Sequence, residues 1–134
     1  MIHLNIRENI THFKAWIIPE TCLVDVATIN FEESYIQPQQ SNLTYDFSDI
    51  VLLQNTEVKD TNDQFIFEKD LIQDAHGHIG QVVKIPSGFA FNPIDDSNQY
   101  FHLNVYHSEY KAPYLRIGSS FEIDESTVNH SSLK

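Results

Sequence analysis

Apolar residues that alternate with period two, turn chemistry at short intervals and no long stretch with the helical period of about 3.6 predict a mainly β fold. Short strands spaced in this way form a small barrel or a rolled antiparallel sheet with little helix. A length of 134 residues suits a single domain. That domain is read as residues 1–123, with a β extension over about 1–46 and a barrel core over about 47–123, followed by a polar tail, 124–134, expected to fray. Nine Phe, six Tyr and one Trp supply large side chains to fill the core.

The first strand is expected from His12 to Ile18, with Pro19-Glu20 as the turn after it. Next, Leu23, Asp25, Ala27, Ile29 and Phe31 share one face of a strand while Val24, Val26 and Thr28 share the other, which predicts burial on both sides. Residues 33–46 are polar and contain Pro38, so they read as a loop or an edge crossing. Ile50 to Gln54 is an apolar strand, Asp60 to Gln64 a turn cluster, and Phe65 to Phe67 the strand beyond it. Ile66, Leu71 and Ile72 supply core residues around a Glu68-Lys69-Asp70 corner, and Asp60 and Asp70 are read as acceptors of backbone N–H bonds in turns.

Ile79 to Ile85 is β-like, and Ile85-Pro86-Ser87-Gly88 has type I turn chemistry, with Pro86 presetting φ at the second position. The return strand, Phe89 to Asn92, ends at Pro93 and the polar loop Asp95-Asp96-Ser97-Asn98. Tyr100 to His107 alternates most cleanly: Phe101, Leu103 and Val105 on one face, His102, Asn104 and Tyr106 on the other. A last strand, Tyr114 to Phe121, carries Gly118 inside it, the mark of a bulge or a close backbone approach.

Eight Lys plus Arg against nineteen Asp plus Glu leave a net charge of −11. A binder of the phosphate backbone needs a cationic face, so this balance argues against one. Cys22 is the only cysteine, which excludes an intrachain disulfide and suits a small hydrophobe in a strand. The apolar runs Ala15–Ile18 and Ile50–Leu53 fall far short of the roughly 20 residues of a membrane span. The opening Met1-Ile2-His3-Leu4-Asn5 has neither the basic nor the apolar region of a signal peptide, so the expected location is the cytoplasm, with no membrane partner.

Four segments in order carry a family resemblance. Phe13-Lys14-Ala15-Trp16 matches an opening of the Phe-Arg-Ala-Trp type. The stretch Gln54-Asn55-Thr56-Glu57-Val58-Lys59-Asp60-Thr61-Asn62-Asp63-Gln64-Phe65-Ile66-Phe67-Glu68-Lys69-Asp70-Leu71-Ile72 follows a signature of the form Gln-x-Thr-Gly-Leu-Lys-Asp-x-Asn-Gly-x-x-Ile-Tyr-Glu-Gly-Asp-Ile-Val. Gly77-His78-Ile79-Gly80-Gln81-Val82-Val83 and Ile117-Gly118-Ser119-Ser120-Phe121-Glu122 complete the set. In these segments the chain resembles the YopX-like family of small phage and prophage proteins. Glu57, Asp63 and Lys69 stand where that family has glycine. The resemblance implies a mainly β, SH3-like barrel encoded by a phage or prophage, and it carries over no catalytic residues.

The metal candidates are His76 and His78, two imidazoles at i and i+2, with Asp74 adding an oxygen; further ligands would have to come from His102 or His107. The segment from Asp60 fails as a calcium loop, with Phe65 at the position that requires glycine and Leu71 in place of the bidentate Glu. Ser119-Ser120 lack a nucleophile elbow, and no phosphate-binding glycine-rich loop is present. Tyr100, Tyr106, Tyr110 and Tyr114 are candidate stacking platforms for a single strand, but Lys111 and Arg116 are the only cations near them, so these rings are assigned to the core or its rim.

The expectation is therefore no catalytic residue, no cofactor and no metal. The leading functional expectation is a phage-encoded, non-catalytic module that binds a macromolecule in the bacterial cytoplasm, a protein rather than a nucleic acid. The first alternative is a nucleic-acid mimic that inhibits a basic host protein; the second is a metal-assisted hydrolase using His76 and His78. An exposed β edge also offers self-association.

Overall fold

The computed structural model describes residues 11–103 and 113–123. The chain divides into two compact units, with the break between Asn55 and Thr56. No helix among the described residues is long and apolar enough to cross a membrane.

The first unit contains β1 (Phe13–Ile17), β2 (Cys22–Asn30), β3 (Tyr35–Pro38), β4 (Tyr45–Asp46), a 3-10 turn over Phe47–Asp49 and the beginning of β5 (Ile50–Lys59). They pair antiparallel in the order β4-β3-β2-β1-β5, with Ala15 opposite Val24 on one side and Leu52 on the other. Ala15, Ile17, Val26, Ile36 and Ile50 form the core of this unit.

The expectation that the second strand is buried on both sides is corrected here. Val26 is buried, Ala27 and Thr28 are exposed, and Phe31 lies beyond the strand, 75% exposed. The register with β3 shifts between Val26 and Thr28, leaving an extra residue in β2. Such a bulge moves the alternation by one position. Val24 and Val26 face the core before it and Ile29 after it. What looks like two apolar faces in the sequence is one face with a change of parity.

Of the two readings of residues 33–46, a loop or an edge crossing, the loop is corrected: they hold β3 and β4 at the edge of the sheet. Pro38 ends β3 opposite Val26, where its missing N–H interrupts little of the ladder. Asn30 Oδ1 accepts the Glu33 amide at 2.8 Å and turns the chain between β2 and β3.

Beside the β1–β2 turn, the Tyr45 hydroxyl donates to Glu20 Oε2 at 2.8 Å. That hydrogen bond, followed by desolvation and repulsion from the carboxylate, holds the phenol above its ordinary value of 10.0. A phenol raised in the folded state keeps the full contact below pH 10.0 and loses it as pH climbs through the folded pKa. Glu20→Gln is expected to bring the Tyr45 titration down toward the ordinary value, read by phenolate absorbance; an unchanged titration shows that the carboxylate is not the cause.

The second unit contains the end of β5, β6 (Phe65–Phe67), β7 (Asp70–Gln73), β8 (Ile79–Ile85), β9 (Gly88–Pro93), β10 (Phe101–His102) and β11 (Leu115–Ser119). The last five form an antiparallel sheet in the order β10-β9-β8-β7-β11. Ile66, Ile72, Val82, Phe91 and Tyr114 make its main core, with Leu71 and Ile79 in a second cluster.

β8 and β9 meet at Pro86-Ser87, with Ile85 opposite Gly88; neither turn residue has a positive φ, as a type I turn requires. β7 has no alternation to betray it, because Asp70, Leu71 and Ile72 are all buried. The register between β11 and β7 slips between Arg116 and Gly118, so the glycine marks a bulge as its position implies. The expected strand over Tyr100–His107 is seen only at Phe101–His102; residues 104–107, like Tyr110, Lys111 and the tail, lie outside the described residues.

Mainly β architecture is thus present as two antiparallel sheets, but among the described residues neither closes into a barrel. Closure needs edge strands long enough to pair with each other. β4 and β10, at the ends of the two arrays, are two residues each.

Gly80 faces the ring of Phe91. A Cβ there would lie 2.7 Å from Phe91 Cε1 and 2.8 Å from the Asn92 carbonyl oxygen. Gly80→Ala is expected to cost about 2 kcal/mol through overpacking, measured by chemical denaturation; a loss within error means the strand pair opens freely at that point.

Glu57, Asp63 and Lys69 all have left-handed backbone, with φ of 64°, 64° and 70°. These are the three positions at which the resemblance expects glycine. Lys69 is fastened on both sides, its N–H to Val82 O at 2.7 Å and its carbonyl to the Ser120 amide at 2.9 Å, so the conformation is imposed by the tertiary structure. Lys69→Gly is expected to stabilise the second unit by about 0.5–1 kcal/mol, whereas Lys69→Ala, which keeps the Cβ, brings no such gain.

Candidate functional site

Two groups of polar side chains stand out in the second unit, one internal and one around a cleft. The internal group begins with Asp60, fully buried. Its Oδ1 accepts the Asn62 and Gln64 amides at 2.8 and 2.9 Å, and Oδ2 accepts the Arg116 amide at 2.9 Å. Asp70, also buried, accepts the Phe67 amide at 2.8 Å and Arg116 Nε at 2.7 Å on Oδ2, with Arg116 Nη2 3.4 Å from Oδ1. Arg116 therefore ties both acids to β11, by its backbone to one and by its guanidinium to the other. The bonds from the Asn62, Gln64 and Phe67 amides are the turn contacts expected of Asp60 and Asp70 from the sequence; the tie to Arg116 is not.

The cleft lies between two turns and has a volume of about 790 Å³. Its first rim is the turn from Asp74 to His78. Asp74 Oδ1 accepts the His76 amide at 2.9 Å and the His78 amide at 2.8 Å, while the Asp74 amide donates to His78 O at 2.9 Å. Gly77, at φ 90°, completes the reversal. The turn leaves both imidazoles exposed, with their ring centres 6.4 Å apart and tilted by 47°. His78 Nδ1 lies 3.4 Å from Asp74 Oδ2.

The second rim is the loop after β9. Asn92 Nδ2 donates to Ser97 O at 3.0 Å and Gln99 O at 2.7 Å, and the Gln99 amide donates to Asp96 O at 3.1 Å. These bonds hold a compact loop that presents Asp95 and Asp96 to solvent. Beneath the rims, the Phe91 and Tyr114 rings stack at 5.7 Å and 18°, both largely buried. Phe101, 52% exposed, forms an apolar wall on β10.

The three metal candidates, His76, His78 and Asp74, are thus brought onto one turn. Two backbone donors already occupy Asp74 Oδ1. Among the described residues, no group of three or more His, Cys, Asp or Glu side chains is arranged to hold a metal ion. His102 sits with its Nε2 3.4 Å from Ser87 Oγ and does not line the cleft; His107 lies outside the described residues. Tyr114 belongs to the core, as the sequence implies, and Tyr100 is exposed.

Sequence reasoning missed Asp95, Asp96 and Phe101 as neighbours of the histidine turn. The paired Asp in the polar loop was a visible signal, but only the β8–β9 hairpin brings that loop opposite residues 74–78. No family model matches the chain, and no curated protein matches its sequence.

Proposed function

We propose that this protein is a non-catalytic interaction module of the YopX-like type, encoded by a phage or prophage, that binds a basic protein in the bacterial cytoplasm. The observation that carries the reading is the distribution of charge. In the first unit Glu20, Asp25, Glu32, Glu33, Asp46 and Asp49 are all exposed, and Lys14 is the one Lys or Arg among its described residues. In the second unit the Arg116 guanidinium is held by Asp70 and Lys59 Nζ lies over the Phe65 ring at 5.2 Å, while Lys69 and the exposed Lys84 stand against the exposed carboxylates of Glu57, Asp63, Asp95 and Asp96. Such a surface repels phosphate and steers a cationic partner toward it.

The left-handed backbone at Glu57, Asp63 and Lys69 supports the YopX-like part of the reading, because glycine is the residue best suited to those positions. On this reading the second unit, with its short antiparallel strands, is the SH3-like part of the fold. The nucleic-acid mimic is a special case, supported by the same exposed carboxylates: the basic partner would then be a DNA-binding protein.

Fluorescence anisotropy against a lysine-rich peptide and a DNA duplex tests the reading. Binding of the peptide that weakens steeply with salt, and none of the duplex, is expected. Duplex binding at physiological salt overturns it, as does turnover of a substrate that a single cleft substitution abolishes. Displacement of a DNA-binding protein from its duplex distinguishes the mimic.

A further inference from the structure

We propose that the cleft of the second unit is a receptor for the side chain of a lysine or arginine carried on an extended segment of the partner. This rests on the reading above, that the partner is a basic protein, and identifies the group it inserts. Asp95 and Asp96 present exposed carboxylates on one rim; on the other, beside the imidazoles of His76 and His78, Asp74 gives its Oδ1 to two backbone amides and keeps Oδ2 3.4 Å from His78 Nδ1, and no Lys or Arg is among the described residues that line the cleft. The interior is not a bare acidic patch. Phe101 exposes half its surface, and the Phe91–Tyr114 stack closes the floor.

That combination suits one class of ligand. A cationic head is attracted both to the carboxylates and to the face of an aromatic ring, while its aliphatic stem packs on apolar surface. A neutral polar side chain gains neither attraction, and an acidic one is repelled. The volume, about 790 Å³, exceeds what one side chain fills, so the flanking residues of the segment enter with it.

Both rims are built before any ligand arrives. Asp74 holds its turn through two backbone amides, and Asn92 holds the opposing loop through two carbonyls. Little ordering is left to oppose binding, which favours a specific site over diffuse attraction by net charge.

The test uses the full chain and three short peptides of one neutral sequence with a central lysine, arginine or acetyl-lysine. Binding is followed by amide chemical shifts. The lysine and arginine peptides are expected to shift amides of residues 74–78 and 95–99, and the acetyl-lysine peptide to bind at least about tenfold more weakly. Asp95→Asn/Asp96→Asn, at two exposed positions that make no demand on folding, is expected to weaken the lysine peptide about tenfold. Phe101→Ala is expected to weaken it about fivefold. The control Glu122→Gln, at an exposed carboxylate that does not line the cleft, leaves it unchanged.

Equal affinity for the acetylated peptide, or an unchanged affinity in the double variant, overturns the inference. Shifts confined to the first unit overturn the cleft while leaving a basic partner in place, whereas duplex binding or turnover removes the wider reading. An absence of any shift at low salt with all three peptides also overturns the cleft.

Discussion

Asp70→Ala is expected to lower the unfolding free energy of the second unit by about 3–5 kcal/mol, the cost of breaking a buried ion pair from one side. Asp70 is 1% exposed and the Arg116 side chain only 18%. Truncation strands the guanidinium beside the β7–β11 pairing and leaves the Phe67 amide without its 2.8 Å acceptor. Asp70→Asn preserves volume and one acceptor oxygen, so its loss is smaller, but it surrenders the charge that Arg116 meets. Hydrogen exchange at the Ile72 and Val82 amides measures the effect, because both residues belong to the core of this unit and report its global opening. A loss of under about 1 kcal/mol in that measurement means that the pair is peripheral to stability.

Asp60→Asn is expected to cost about 2–3 kcal/mol although it changes almost no volume. The carboxylate accepts three backbone amides, two on Oδ1 and one on Oδ2. An amide side chain has a single acceptor oxygen. Turned one way it keeps Asn62 and Gln64 and points its NH2 at the Arg116 N–H; turned the other way it keeps Arg116 and loses two. A buried donor facing a donor leaves both without partners, and the burial is complete at this residue. The same hydrogen-exchange measurement applies, with the Arg116 amide as a local reporter; exchange at wild-type rates there contradicts the assignment.

These two acids illustrate what kinds of information a sequence holds. Their turn-holding role is legible because Asp caps backbone N–H groups locally, and for Asp60 two of the three donors lie within four residues. The third partner, Arg116, is 56 residues away, and no local rule points to it. Likewise the Asp74 turn follows from short-range chemistry, whereas its juxtaposition with Asp95, Asp96 and Phe101 depends on the packing of β8 against β9 and β10.

Strand identity divides in the same way. Ile79–Ile85 is legible as β-like from its own residues, and its hairpin from Pro86 and Gly88. β7 was not, because a strand buried on both faces loses its period. β2 was misread in its burial because a bulge exchanges the two faces within one strand, and a bulge is a property of the pairing with β3 rather than of either strand.

Backbone strain shows the limit most clearly. Nothing local makes Lys69 favour φ 70°; hydrogen bonds to Val82 and Ser120 on either side hold it there. Composition and short-range pattern by themselves determined a mainly β chain with an anionic balance and the places where it turns, since alternation, turn chemistry and charge act over a few residues. Which carboxylates meet which cations, which turns face each other across a cleft and whether the sheets close were decided only by tertiary pairing, because those contacts join residues that are distant in the chain and whose registers depend on one another.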